Sequence, residues 1–200
     1  MFISELFGAI LQLMLFSLIP IIWWLITARK KESFFKWIGL KKVHFTGKVF
    51  YLLLITLVVV GVYGLLTNIF LTKYVGEVTA SGSRFNGMGY TAIPTVLVYA
   101  FIRTGLAEEI LFRGFIGKRF SNKFGFAVGN TVQALLFGAL HGVPFGFATH
   151  NLIVTVCLTL LPAGFGWFNG WLDEKRSSGS IVSSWLLHGM INAVVGCMAL

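Results

Sequence analysis

The chain has 200 residues and a formal net charge of +9; 56% of its residues are hydrophobic, 16% aromatic and only 12% charged. Soluble domains carry about one-quarter charged residues. That contrast, with a mean hydropathy of +0.84, excludes a soluble globular domain and predicts an integral membrane protein. Each span takes about 20 apolar residues, so the chain holds roughly six spans in one membrane domain, 1–200, with no separate soluble domain.

The first apolar run, 6–27, has no basic residue ahead of it and no small-residue cleavage site behind it. It is expected to be retained as a span. Segment 28–48 carries seven Lys and Arg and interleaves Phe34, Phe35, Trp37 and Phe45 with them. That pattern suits an anionic lipid surface, and membrane contact accounts for the net charge better than nucleic acid does. Further runs at 49–71, 91–112, 124–141, 151–171 and 180–200 complete six spans, with Pro20, Pro94 and Pro162 inside them, as membrane helices tolerate. The Gly- and Ser-rich connection 72–90 is expected to be mobile.

Lys and Arg in alternate connections number thirteen (28–48, 113–123 and 173–176) against two, Lys73 and Arg84. The richer side is therefore cytoplasmic, with both termini outside, and the chain is read as a multi-pass protein of the cell membrane. Cys157 and Cys197 lie in apolar segments with neither metal-ligand nor disulfide spacing and read as buried small apolar residues. No internal repeat, as a small transporter would carry, is visible.

Charge inside a span costs about 2.5–3.5 kcal/mol per group, so such groups pair or face a wet interior. Glu108, Glu109 and Arg113, in "GLAEEILFRG", need partners of this kind. Glu109 and Arg113 are four apart in the favourable order for a same-face ion pair. Glu108 lies five residues from Arg113, roughly 140° around an α-helix, and points elsewhere. Arg103 either snorkels or faces a cavity. In later spans, Asn130, Gln133, Phe137 and His141 share one helical face, and Ser184, His188 and Asn192 recur at i, i+4 and i+8. Glu, two His and Asn form a set able to deprotonate water and stabilise an oxyanion.

The motifs EExxxR (Glu108 to Arg113), FxxxH (Phe137 to His141) and HxxxN (His188 to Asn192), in that order, resemble the CPBP family of CAAX proteases and bacteriocin-processing or immunity proteins, also called Abi. The resemblance implies a catalytic core at 91–200 behind N-terminal spans in 1–90, in an all-α polytopic bundle with an intramembrane active-site cavity. It implies an intramembrane endopeptidase acting on a membrane-associated protein or peptide. Glu108 with His141 would activate water, His188 with Asn192 would hold the oxyanion, and Glu109 with Arg113 would orient the site. No metal is required by this scheme; a zinc ion on Glu108, His141 and His188 is the alternative ligand set. For Gly164, Gly166 and Gly170, in "AGFGWFNG", close helix packing competes with a catalytic role. The competing function is a non-catalytic immunity or scaffold protein. A span ending at 141 would put His141 at the opposite face from Glu108, so span four must begin along the surface or tilt strongly.

Overall fold

The computed structural model describes residues 1–74 and 83–200, except the side chains at 49, 53, 67, 68, 70–74 and 83. Among the described residues there is helix and no strand: α1 Phe2–Thr27, α2 Phe34–Ile38, α3 Val49–Tyr74, α4 Ile93–Leu97, α5 Ala107–Glu109, α6 Lys118–Phe124, α7 Phe126–Thr149, α8 Leu152–Trp171 and α9 Val182–Met198. Between α4, α5 and α6 the backbone stays helical but widens into π-helix over Val98–Leu106 and Ile110–Gly117. A third π-helical stretch, Leu172–Arg176, continues α8.

Three helical segments are long and apolar enough to cross a membrane: Phe2–Thr27, Phe126–Thr149 and Leu152–Arg176. At 1.5 Å per residue they measure about 36–39 Å, against a hydrocarbon core of about 30 Å. Their outer faces carry bare apolar side chains, such as Ile3, Phe7 and Ile26 of α1 at 79%, 70% and 79% exposure, which water would penalise and lipid does not. The protein is an all-α membrane protein.

The described chain divides into two units. The first comprises 1–42, 80–115 and 180–200. Its apolar core gathers Ala28, Trp37, Ile38, Ile110 and Ile181. The stretch 98–106 lies close against α9: a Cβ on Gly105 would stand 3.6 Å from the Gly189 Cα, and one on Gly189 would strike the Phe101 ring. Trp185 ties the same pair of elements by donating its indole N–H to the Phe101 carbonyl at 2.6 Å.

The second unit comprises 43–79 and 116–179 and is dominated by α7 against α8. Gly138, Gly142 and Gly146 line the contact at four-residue spacing, each so close to Thr159 or Thr155 that a Cβ would collide. Small residues of this kind let membrane helices approach backbone to backbone. Asn151 starts α8 by accepting from the backbone N–H groups of Ile153 and Val154 at 2.9 and 3.3 Å, the usual N-cap arrangement.

Several expectations change. The fourth span does not stop at 141: α7 runs on to Thr149 across Pro144, which places His141 well inside the helix. Pro94 opens the first turn of α4, where its missing N–H costs nothing. The basic connection 113–123 is helical, and Arg113 is buried there, so it belongs to the interior and leaves twelve, not thirteen, Lys and Arg on the richer side. Trp37 is buried in the core while Phe35 and Phe45 stay exposed, so only part of the aromatic set in 28–48 is free for lipid. Cys157 is half-buried and Cys197 exposed; a thiol facing lipid needs no burial. Of the connection 72–90, residues 75–82 lie outside the described residues, whereas Phe85 is 2% exposed and anchored.

Gly142→Val should lower the thermal midpoint in detergent, through a loss of about 1–3 kcal/mol from overpacking. Gly164, with open space where its Cβ would be, should accept Ala without loss. Equal midpoints for wild type and Gly142→Val would contradict the close α7–α8 packing.

Candidate active site

The site in the first unit starts from one carboxylate with no exposure. Glu109 sits at the end of α5, between two π-helical stretches, and is 0% exposed. Its Oε2 lies 3.2 Å from Arg113 Nε, the i,i+4 pair that the spacing predicts, with the arginine side chain itself 1% exposed. Its Oε1 accepts from His188 Nδ1 at 2.9 Å. A carboxylate only accepts, so Nδ1 carries a proton and the ring's remaining nitrogen, Nε2, is turned outward from this bond.

Nε2 faces Glu108, at 3.8 Å from Oε2. Glu108 is 7% exposed, and its Oε2 has no hydrogen-bond partner among the described residues. The result is a chain of groups, Arg113, Glu109, His188, Glu108, in which the first three fix one another and the fourth is left available. Neighbouring carboxylates have been given different work by their surroundings.

The π-helical backbone explains how α9 meets this helix. A π-helix closes i→i+5 hydrogen bonds, so residues five apart approach a common face. Thr104 and Glu109, five apart, both meet α9, where His188 and Asn192 are four apart on an ordinary α-helix. Asn192 donates Nδ2–H to Thr104 Oγ1 at 2.9 Å, and Thr104 in turn donates to the Tyr99 or Ala100 carbonyl at 3.0 and 3.1 Å. Asn192 Nδ2 carries a second N–H beyond the one given to Thr104. The Ser184 hydroxyl, one α9 turn before His188, donates to the Ile181 carbonyl at 3.0 Å and is buried.

His141 belongs to the second unit. Its Nδ1 bonds the Phe137 carbonyl at 2.8 Å, and the two rings lie 4.5 Å apart. The four-residue spacing of FxxxH is thus a local support: the phenylalanine supplies both a carbonyl and a ring face. A carbonyl only accepts, so Nδ1–H donates and Nε2 of the neutral ring is an acceptor. On the same helix Asn130 donates to the Trp167 carbonyl at 2.9 Å, and Gln133 donates to Asn130 Oδ1 at 2.9 Å and to the Gly166 carbonyl at 3.0 Å. That part of the polar stripe is interhelical glue. Gly170 leaves room for it, since a Cβ there would strike Asn130.

Among the described residues, no three His, Cys, Asp or Glu side chains gather as a ligand set for a metal ion. Sequence reasoning passed over two groups. Thr104 gave no signal under α-helical spacing. Glu5 did: a lone acid in an apolar run demands a partner, and it proves to pair with Arg84 and Arg103, both at 2.9 Å.

Paired glutamates, an oriented histidine and an asparagine on facing helices of a membrane protein are the kinds of group a membrane-embedded hydrolase uses. The comparison with protein families names the group: a family model described as type II CAAX prenyl endopeptidase Rce1-like matches residues 90–194. The chain belongs to the Rce1-like family of type II CAAX prenyl endopeptidases, and its function is of the CAAX endopeptidase type, a peptide hydrolase. No curated protein and no solved structure matches the chain.

Removing one partner of a buried ion pair costs about 3–5 kcal/mol because the other charge is stranded. Arg113→Met should therefore lower stability in detergent by about that amount, and the double variant Glu109→Gln with Arg113→Met should regain a large part of it. Strictly additive losses in the double variant would show that the two side chains are not coupled.

Proposed function

We propose that the protein is an intramembrane endopeptidase that hydrolyses a peptide bond in a membrane-associated protein or peptide, using water activated by Glu108 and His141. The observation that carries this reading is the His188 ring, fixed by Glu109 at 2.9 Å with its other nitrogen 3.8 Å from Oε2 of a buried Glu108, an oxygen with no hydrogen-bond partner among the described residues. A carboxylate so left is suited to accept a proton from water, and the acceptor Nε2 of His141 is suited to align that water.

In this scheme the water oxygen attacks the carbonyl carbon while Glu108 takes its proton. The oxyanion that forms accepts hydrogen bonds from His188 Nε2–H, on a doubly protonated ring whose Nδ1–H stays with Glu109, and from the second N–H of Asn192. As the C–N bond breaks, the proton held by Glu108 passes to the departing amine. Arg113 and Glu109 act by holding His188, not by touching substrate. Donors arranged in advance around a developing oxyanion act more strongly in a dry site than in water.

The proposed setting is a multi-pass protein of the cell membrane. Its support is the three apolar helices and their exposed faces. Arg29, Lys30, Lys31, Lys36, Lys41, Lys42 and Lys48 are all exposed, which favours contact of segment 28–48 with anionic lipid.

Glu108→Gln should reduce the cleavage rate of a prenylated CAAX peptide about 10²–10⁴-fold, the range for loss of a general base, with unchanged helical content by circular dichroism. Asn192→Ala should lower kcat about 10²–10³-fold with little change in KM, as loss of an oxyanion donor does. Wild-type turnover by Glu108→Gln would sink the assignment. Chelation should leave the rate unaltered; loss on chelation with recovery on adding zinc would replace the scheme with the alternative on Glu108, His141 and His188.

A further inference from the structure

Arg84 and Arg103 have no part in the hydrolytic scheme, yet they form a built site. Glu5, 5% exposed on α1, takes Arg84 Nη2 on Oε2 and Arg103 Nη1 on Oε1, both at 2.9 Å. Arg103 Nε also donates to Gln12 Oε1 at 3.4 Å. Gly8 makes room for this: a Cβ there would lie 3.1 Å from Arg103 Nη1. The Arg84 guanidinium rests over the Tyr99 ring, 4.7 Å from its centroid.

Two guanidinium groups share one carboxylate, so the cluster keeps one positive charge, and among the described residues no second acid pairs with either arginine. A charge left over in a low-dielectric setting is costly unless an anion meets it. The two side chains remain 40% and 28% exposed, so donors not used on Glu5 are within reach of a ligand. Glu5 thus holds the two arginines in place without cancelling them.

The position relative to the proposed chemistry is informative. Arg103 lies five residues before Glu108 on one continuous helical run, Val98–Leu106 followed by Ala107–Glu109, and the Arg84 guanidinium stands over Tyr99, four residues further back on the same run. The arginine pair and the proposed general base therefore share one element.

We propose that Arg84 and Arg103 form a carboxylate subsite that anchors the C-terminal α-carboxylate of the substrate. This rests on the hydrolytic reading above. Planar guanidinium forks match carboxylates in shape as well as charge, and the assignment is one of specificity rather than of bond breaking.

The test compares two prenylated CAAX peptides, one with a free C-terminal carboxylate and one with a C-terminal amide, using the full chain in zwitterionic vesicles. Wild type should favour the free acid about tenfold to a hundredfold in kcat/KM, mainly through KM, the scale of a charge-assisted hydrogen bond. In Arg84→Gln with Arg103→Gln that preference should vanish, and Arg103→Lys should keep an intermediate one. Equal cleavage of both peptides by wild type, or an undiminished preference in the double variant, would overturn the subsite. Cleavage of neither peptide by wild type would instead sink the hydrolytic reading. A second measurement covers variants that fail to fold: the Glu108→Gln chain should bind the acid more tightly than the amide, and equal binding overturns the proposal. Adding anionic lipid separates the other source of negative charge. If the arginine variants lose activity on both peptides alike, and only with that lipid present, the site belongs to lipid phosphate and the proposal fails.

Discussion

A carboxylate with no solvent exposure has to be answered from inside the protein, and Glu109 is answered from two directions. Arg113 on its own helix supplies a guanidinium at 3.2 Å, and His188 on α9 supplies an N–H at 2.9 Å. Neither contact alone would suffice, since an isolated buried ion is penalised by several kcal/mol. The double contact also fixes things beyond Glu109. It sets the tautomer and plane of the His188 ring and ties α9 to the π-helical run, while Oε2 of the adjacent Glu108 has no hydrogen-bond partner among the described residues. Under the proposed function, adjacent residues of one chemical type are thereby divided into a structural member and a member available for reaction.

The charged groups of the first unit show how a hydrophobic protein distributes a small number of ions. Glu5 is shared by Arg84 and Arg103, Glu109 by Arg113 and His188, and Glu108 Oε2 lies 3.8 Å from the other nitrogen of His188. The outer cluster on α1 holds one acid and two arginines, and the inner cluster two acids, one arginine and one histidine. Unequal groups of this kind give a membrane-embedded site polarity that a ligand can use.

Much of this was legible in the sequence because membrane helices obey blunt rules. Apolar run length located the helices, and the four-residue spacing of Glu109 and Arg113 gave their pairing. What failed was everything that depends on departures from regular α-geometry or on tertiary choice. The spacing of apolar residues carries no mark of the π-helix at Val98–Leu106 and Ile110–Gly117, so the partnership of Thr104 with Asn192 had no periodic signature. The apolar run expected to end at 141 continues as helix through Pro144, and Pro94, inside its own run, opens the first turn of α4. Arg103 lacked an account because its partner, Glu5, lies 98 residues away in sequence. Trp37 looked like an interfacial aromatic by its neighbours and is a core residue by its contacts.

The account turns on Glu108 being the group that makes this membrane protein a peptidase. The most direct measurement compares the new peptide termini in the membrane proteome of cells expressing wild type or Glu108→Ala at matched protein levels. Termini present with wild type and absent with the variant are the predicted result, and they would also name the substrate. Identical sets of termini from the two chains would contradict the account.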